Sequence, residues 1–585
     1  MTPVQAAAEH LRAGRVKQAV DVLRAHLRRH ENDDRAWFVL GQALSQDGQH
    51  EAGLHALGRA LAADRGDARR WLALGVATLR ARGGAGVVEL LKDSPPAIAG
   101  DADVLALLAD GYAAVGEAGS AVPVLERVLA ARPGHVQAMR TLARVFAVAG
   151  RTDEAVGLLR RCAEAGGWRD FRDLGAYCFH TNYSGVMTPD EVAAEHRRLH
   201  ELLQRVVPPG PAVAVDETPG RVRRVGFLSA DFQQHSVAYF AEPLIEHLDR
   251  TRWRVVCVSA SSAADEVTAR LRAKADEWVD ASAQDPAAML NAVRSARLDV
   301  LVELGGLTGP GRVAALAQRA APVQATYLGY PNTTGVPNID YRIVDAHTDP
   351  EGAERLATEK LVRVEGCFVS YRPPEDSPAV CGCDAGAPLA LGSFNTSLKM
   401  SPQCVALWAR VMRRLPGSVL VLKRKEFADP WVAGQFVERF GREGVAPERL
   451  RFVGKTPSVA EHLAAYGGVD IALDTYPYHG TTTTCEALWM GVPVVSLAGP
   501  SHASRVGKSL LHAAGMGEWA VDTPEAFEEA VVGLAADRAA LAALRAGLRD
   551  RVGASALCDG AGFARRFERV LEEMWASVSG TSRSA

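Results

Sequence analysis

The residues most able to do chemistry are gathered between Leu473 and Pro493. There Asp474-Thr475-Tyr476-Pro477-Tyr478-His479 leads into Gly480 and four consecutive threonines, Thr481 to Thr484, followed by Cys485 and Glu486. A strand ends near Asp474, a loop with proline and glycine follows, and a helix begins within the threonine run and ends near Gly491. Threonines are poor helix formers but good phosphate partners. At a helix start the free backbone N–H groups and the hydroxyls point at one place, and the helix dipole favours an anion. A plain N-cap needs one hydroxyl. Gly480 followed by Thr481, Thr482 and Thr483 is read as a phosphate-binding turn. Glu486, one turn further in, is placed to accept hydrogen bonds from a ribose diol.

Other stretches could join it. Gly392 to Pro402 ends a strand and sets Lys399 in the loop before a Ser-Pro helix start. A lysine beside a diphosphate neutralises charge building on a departing nucleotide; a lone lysine is otherwise a solvated surface group. Ser229 to Val237 follows a strand and carries His235, which either positions an acceptor or exchanges a proton, or simply caps the next helix. Gly499 to Gly507, with Arg505, is expected to complete a phosphate or base pocket. His462 stacks on a base or sits as an ordinary helix-surface histidine. Lys423-Arg424-Lys425 is a solvated edge or an attractor for an acidic donor.

These positions require a scaffold of strands with loops at their carboxyl ends. Apolar strand-length runs occur at Arg224–Ser229, Arg254–Val258 and Leu298–Glu303, and again at Leu389–Leu391, Val419–Leu422, Leu450–Phe452, Asp470–Leu473 and Val494–Ser496. Strands alternating with helices imply parallel sheets with helices on both faces, and ligands bind at the carboxyl ends of such strands. Two open sheets in tandem imply a cleft between two lobes.

The first third has a different period. Trp37 and Trp71 are 34 residues apart, as are Leu105 and Met139. Gly14, Gly48, Gly116 and Gly150 hold one phase; Leu23, Leu57, Leu91, Leu125 and Leu159 hold another. The pattern is that of the tetratricopeptide helix–turn–helix, whose stacked pairs share a core that one pair cannot form. The third unit is weak: it carries Gly83-Gly84 and stops at Pro95-Pro96. The organisation expected is residues 1–167 as the repeat array and 168–220 as a helical connector. The latter has Thr188 as N-cap and Pro189 at the first helical position. Residues 221–380 form a first lobe, and 381–585 a second, nucleotide-binding lobe with terminal helices.

Composition excludes several classes. A formal net charge of −3 over 585 residues gives no global basic field for nucleic acid. No run of about 18 apolar residues is present, so no membrane span is expected. Glu9, His10 and Arg12 interrupt the start, unlike a secretory signal. Nine scattered cysteines argue against a disulfide framework, and Cys381-Gly-Cys383 lacks a second pair at zinc spacing. A reduced, cytoplasmic protein is expected.

Taken together these motifs resemble the family 41 glycosyltransferases, which include O-GlcNAc transferases and the SPINDLY-type O-fucosyltransferases. The specific segments are Asp474–Pro493, Ser393–Lys399, Ser229–Val237, Ala321–Ala325 through Gly329-Tyr330-Pro331, Ile339–Asp345 and Ala503–Val506. The resemblance implies repeats followed by a GT-B fold of two Rossmann-like lobes. It also implies inverting transfer without a metal or other cofactor, from a nucleotide sugar to Ser or Thr of a protein bound by the repeats. It puts Lys399 on the diphosphate, Thr482 and Thr483 on the phosphates, Glu486 on the ribose, His462 on the base and His235 near the acceptor. The proton taker stays open among His235, a donor phosphate oxygen and a water. Thr481 and Thr396 stand where the animal O-GlcNAc transferases have His and Gln, Val459 replaces a lysine, and Leu307 an aromatic. Val39, Ala73, Leu107 and Thr141 replace an asparagine ladder. UDP-GlcNAc is the donor expected, with GDP-fucose or another surface sugar as the alternative, and a dedicated acceptor such as flagellin. A non-catalytic repeat scaffold is disfavoured by Lys399, the threonine run and Glu486 occurring together.

Overall fold

The computed structural model describes residues 2–92, 94–283, 285–309, 312–382 and 386–579; Cys383 lies outside them. The chain divides into two compact units, Met1–Val148 with Ala428–Gly434, and Ala149–Phe427 with Gln435–Ala585.

The first unit is helical: Pro3–Arg12, Val16–Leu27, Asp34–Gln46, His50–Ala63, Ala68–Lys92, Ala102–Val115, Ala118–Ala131 and Val136–Val148. The turns inside its pairs fall on Gly14, Gly48 and Gly116, with φ of 72°, 81° and 86°. A side chain in that left-handed region costs roughly 1–2 kcal/mol, which is why the phase is glycine. In the third pair the phase falls on Arg82, and the turn moves one residue on to Gly83, whose φ of 70° kinks Ala68–Lys92 into two helices. The weak repeat is thus complete, with its turn displaced. Leu23, Leu57, Leu91 and Leu125 are all buried, each contributing roughly 1.5–3 kcal/mol of transfer free energy.

The second unit opens with helices Thr152–Ala165, Phe171–Thr181 and Pro189–Val206. The last begins with a capping box between Thr188 and Glu191 and with Pro189 at its first turn, as its sequence indicated. Two parallel sheets follow. The first holds β1 (Arg223–Ser229), β2 (Trp253–Ser259), β3 (Glu277–Asp280), β4 (Val300–Glu303), β5 (Val323–Thr326), β6 (Tyr341–Val344) and β7 (Lys360–Arg363), in the order β3-β2-β1-β4-β5-β6-β7. The second holds β8 (Ala390–Ser393), β9 (Val419–Lys423), β10 (Leu450–Val453), β11 (Ile471–Leu473), β12 (Val494–Leu497) and β13 (Ala520–Val521), in the order β10-β9-β8-β11-β12-β13.

Each order reverses direction once, between β1 and β4 and between β8 and β11. Crevices open at such switch points beyond the strand ends. The loop after β1 carries His235, the loop after β8 carries Lys399, and the loop after β11 carries the threonines. The three candidate stretches therefore share a topological reason for being where they are. The helix Gly560–Ala576, assigned by its sequence position to the second lobe, instead packs on the first. Phe567 lies 5.2 Å from the Tyr327 ring and 6.5 Å from Phe227, because the apolar face that carries Phe563 and Phe567 is wholly buried there.

The connector is fastened to the first lobe through His196, which is fully buried. Its Nδ1 donates to the Val192 carbonyl (2.8 Å), so its Nε2 accepts from the Tyr330 hydroxyl (2.6 Å). Asn182 donates to the same hydroxyl at 2.9 Å. Burial holds the His196 pKa down to about 4. A neutral buried histidine stabilises fully above its unfolded pKa of about 6.5, and that contribution is lost as pH falls toward 4. The loss approaches roughly 3 kcal/mol at the lower end. Thermal midpoints measured from pH 7 to pH 4 are expected to fall more steeply for the native chain than for His196→Gln; parallel curves would remove His196 as the source.

Candidate active site

The site is built on a buried carboxylate. Asp474 directly follows β11 and is 2% exposed. Its Oδ1 accepts from the N–H groups of Thr475 (2.9 Å) and Gly480 (2.8 Å), and its Oδ2 from the Ser496 hydroxyl (2.6 Å). These bonds fold Thr475–His479 into a tight loop and bring Gly480 back to the strand end. His479 is fully buried. Its Nδ1 accepts from the Gly507 N–H (3.0 Å) and its Nε2–H donates to the Leu497 carbonyl (2.9 Å). Both nitrogens are satisfied by a neutral ring, and burial lowers the pKa in the same direction. The packing leaves no room for a methyl group at Gly507: a Cβ there would stand 2.1 Å from the Ser496 Oγ and 2.6 Å from an Asp474 oxygen.

Gly480 delivers the chain into the helix Thr482–Trp489. The first backbone hydrogen bond of this turn joins the Cys485 N–H to the Thr481 carbonyl (3.1 Å). The four N–H groups ahead of it, from Thr481 to Thr484, have no backbone partner among the described residues. The hydroxyls divide. Thr484 donates back to the Gly480 carbonyl (3.1 Å), and Thr483 donates to the Asn395 Oδ1 (2.9 Å). Those of Thr481 and Thr482 have no protein partner among the described residues, and both threonines line the cleft. The result is a helix N-terminus with free donors and two open hydroxyls, an arrangement suited to a phosphate.

Lys399 meets this turn from the β8 loop. Its Nζ donates to the His479 carbonyl (2.6 Å) and stands 4.2 Å from the centre of the Tyr478 ring. Tyr478 is itself stacked on Tyr183 of the connector, with ring centres 4.6 Å apart and planes 6° from parallel. Desolvation draws the Lys399 pKa down to about 8, against the opposing pull of the Asp474 charge. The lysine is thus a cation held by its surroundings at the edge of neutrality.

The cleft these residues face has a volume of about 290 Å³ and runs between the two lobes. His235, Leu328, Gly329 and Phe368 line it from the first lobe. Asn395, Thr396, Lys399, Arg424, Tyr478, Thr481, Thr482, Thr483 and His502 line it from the second. His235 caps the helix Ser236–His247, its Nδ1 accepting from the Val237 N–H (3.3 Å), and its side chain is 47% exposed. The residue is therefore a helix cap that also faces the cleft.

The other candidates fall elsewhere. Glu486 and His462 stand beside the cleft without lining it. The Lys423 Nζ donates to the His462 Nδ1 (2.7 Å), so the His462 Nε2–H donates to Glu486 (3.1 Å). The Tyr466 hydroxyl reaches the same carboxylate at 3.4 Å. The basic run 423–425 is accordingly split, with Lys423 buried against His462 and Arg424 in the cleft. Gly480 supplies backbone only: a Cβ would meet the Thr483 hydroxyl at 2.3 Å. The structure does not place Arg505 in the phosphate pocket. Its guanidinium donates to the carbonyls of His347 (2.6 Å) and Gly499 (3.2 Å), tying the β12 loop to the first lobe. Asp474, His479, Tyr478 and His502 were not singled out from sequence, although each lies within a stretch that was.

With this geometry in hand, the relationship to known proteins is direct. The glycosyl transferase family 41 profile matches residues 210–370 and 386–567, and tetratricopeptide repeat profiles match residues 4–68 and 112–166. The chain is similar to a tomato (Solanum lycopersicum) protein described as a probable UDP-N-acetylglucosamine–peptide N-acetylglucosaminyltransferase SPINDLY. Identity is 37% over 400 residues, covering 67% of this chain and 43% of that one. The Arabidopsis thaliana protein of the same description is also 37% identical, covering 67% of this chain and 44% of its own. The chain thus spans less than half the length of these relatives. Among solved structures it resembles a mutant of the Thermobaculum terrenum O-GlcNAc transferase, with a TM-score of 0.80 and 32% identity, over 88% of this chain and 98% of that one. The chain belongs to glycosyl transferase family 41.

Proposed function

We propose that the chain transfers a sugar from a nucleotide donor to a Ser or Thr hydroxyl of a protein, with UDP-GlcNAc as the donor and inversion at the anomeric carbon. The observation that carries this reading is the meeting of Lys399 with the open helix N-terminus at Thr481–Thr483 in one interlobe cleft. In the reaction the acceptor oxygen forms a bond to the anomeric carbon. The bond from that carbon to the diphosphate oxygen breaks, and the nucleoside diphosphate leaves with the electron pair. The negative charge that builds on the leaving group falls where backbone N–H groups, threonine hydroxyls and the Lys399 ammonium converge, so charge stabilisation comes from the protein without a metal. The acceptor is held by the repeats, in keeping with the tetratricopeptide matches. A second reading keeps the chemistry and changes the donor to GDP-fucose or another surface sugar. It rests on the resemblance of Tyr476-Pro477-Tyr478, the four threonines and His235-Ser236-Val237 to the SPINDLY branch.

Thermal unfolding against UDP, UDP-GlcNAc, GDP and GDP-fucose separates the readings. A ligand at a hundredfold excess over its dissociation constant stabilises by about 2.7 kcal/mol. A shift with UDP and UDP-GlcNAc alone supports the first reading, and a shift with the guanine nucleotides the second. No shift with any of them, nor with CMP, dTDP and their sugar conjugates, in a folded sample would leave the repeat scaffold. Lys399→Ala is expected to keep the fold and lower the transfer rate by about 10²–10³; unchanged transfer would remove Lys399 from the mechanism.

Affinity for the nucleoside diphosphate also carries a sign. The cationic form of Lys399 binds the anion, and that form is lost as pH rises through about 8. Calorimetric affinity is expected to fall above pH 8, toward tenfold per pH unit at the limit. In Lys399→Ala the dependence should be flat; a slope unchanged in the variant would assign it to another group.

A further inference from the structure

His502 is shared by two cavities. One is the cleft already described; the other is a smaller space of about 100 Å³ behind it, lined among others by Asn182, Arg342, Asp349, Gln403 and Ser501. The histidine sits in the loop after β12, inside a Ser501–Ser504 capping box. Its Nδ1 is hydrogen-bonded to the Asp349 carboxylate, which belongs to the rear cavity alone. Asp349 is 5% exposed and also pairs with Arg342 at 3.3 Å. Burial works against the charged carboxylate, but the Arg342 guanidinium beside it favours the ionised form.

This geometry fixes the ring. An ionised Asp349 accepts a proton, so Nδ1 carries the hydrogen and Nε2 carries the lone pair. Phe368 stands edge-on to the ring, with centroids 5.3 Å apart. The Asp349 bond takes the Nδ1 edge, which leaves the Nε2 edge as the one not turned to Asp349, and the residue lines the cleft together with Lys399 and Tyr478. Nε2 makes no hydrogen bond among the described residues. A neutral imidazole acceptor held by a buried acid, with its free nitrogen toward a site for hydroxyl-bearing substrates, is built to accept a hydrogen bond. Burial also favours the neutral ring.

We propose that His502 accepts a hydrogen bond from a substrate hydroxyl through Nε2, with Asp349 and Arg342 as positioning residues that hold its tautomer. The inference rests on the reading of the cleft as a transfer site. The hydroxyl comes either from the donor sugar or from the acceptor Ser or Thr.

Two substitutions separate this role from a structural one. Asparagine carries its amide where Nδ1 stood, so His502→Asn keeps the bond to Asp349 and removes the atom facing the cleft. Glutamine reaches the Nε2 position, so His502→Gln keeps an acceptor toward the cleft and gives up the bond to Asp349. Transfer is measured per folded protein, with the full chain and the donor that shifts its thermal midpoint. His502→Gln is expected to be about tenfold faster than His502→Asn, the range of one hydrogen bond. His502→Asn as fast as or faster than His502→Gln overturns the proposal and leaves His502 as a pin for Asp349. The kinetics also locate the hydroxyl. If it belongs to the sugar, His502→Asn raises the donor KM and slows donor hydrolysis in the absence of acceptor. If it belongs to the acceptor, donor KM and hydrolysis are unchanged and only transfer falls. A native chain that binds no nucleotide sugar and transfers none overturns the cleft reading and this inference together, and shows it before any variant is made.

Discussion

The Asp474 carboxylate is the constraint on which the candidate site depends. It is buried at a strand end, where an unpaired charge would cost several kcal/mol, and the chain satisfies it by wrapping around it. The N–H groups of Thr475 and Gly480 and the Ser496 hydroxyl all turn inward to it. The loop cannot relax without exposing that charge to an apolar interior. Its closure fixes the direction of the helix Thr482–Trp489 and the position of the His479 carbonyl. That carbonyl receives Lys399, so one buried acid sets both the anion-binding turn and the cation that faces it. Asp474 acts on Lys399 a second time, electrostatically: its charge raises a pKa that desolvation lowers.

The lobes are joined by the same kind of chemistry. Asp345 accepts from the Ser509 hydroxyl, Asp349 from His502, and the His347 carbonyl from Arg505. These groups lie on one short stretch after β6 and meet one short stretch after β12. The connector adds a third hold, with His196 and Asn182 on Tyr330 and Tyr183 on Tyr478. Tyr330 lies between Gly329 and Pro331 in the cleft wall, and Tyr478 is the surface against which Lys399 rests. The connector therefore supports both sides of the cleft, and its role is more than a link between repeats and lobes.

How much of this was legible depended on whether a feature was local. The repeat phases, the Thr188 capping box, the helix start in the threonine run and the longer strands each rest on neighbours in sequence, and they are visible there. β3, β5, β6 and β7 were not read as strands. β5 and β6 carry the buried polar residues Gln324, Thr326 and Arg342. Loop groups satisfy these side chains, Gln324 bonding to Ala320, Leu316 and Asn338 and Arg342 to Asp349, so they break the apolar run that marks a buried strand. Arg505 illustrates the limit for the site. Its type and loop suit a phosphate, but two backbone carbonyls, one of them in the other lobe, claim its guanidinium. The Asp474, His479 and His502 contacts could not be read either, since each joins loops that only the sheet order brings together. Glu486 and His462 were found as a pair of candidates, but the Lys423 ammonium that sets the His462 tautomer for their direct bond required β9 to lie beside the second switch point.

The pattern of charge around the cleft explains why these non-local contacts matter to chemistry. On the proposed reading a diphosphate carries its charge into this cleft, and there each fixed dipole is worth more than it would be in bulk solvent. That gain is available only if the dipoles are already aimed, because turning them during the reaction would cost what they return. The helix N–H groups are aimed by the Asp474 loop, Lys399 by a carbonyl and an aromatic face, and His502 by Asp349. None of these directing groups needs to touch the substrate. The cleft is thus organised around buried acids, Asp349 in the first lobe and Asp474 in the second, that hold polar groups in place. The substrate-facing surface is correspondingly poor in carboxylates: no Asp or Glu lines the cleft among the described residues. An anionic donor meets cations and N–H groups in front, while the negative charges that position them remain one layer behind.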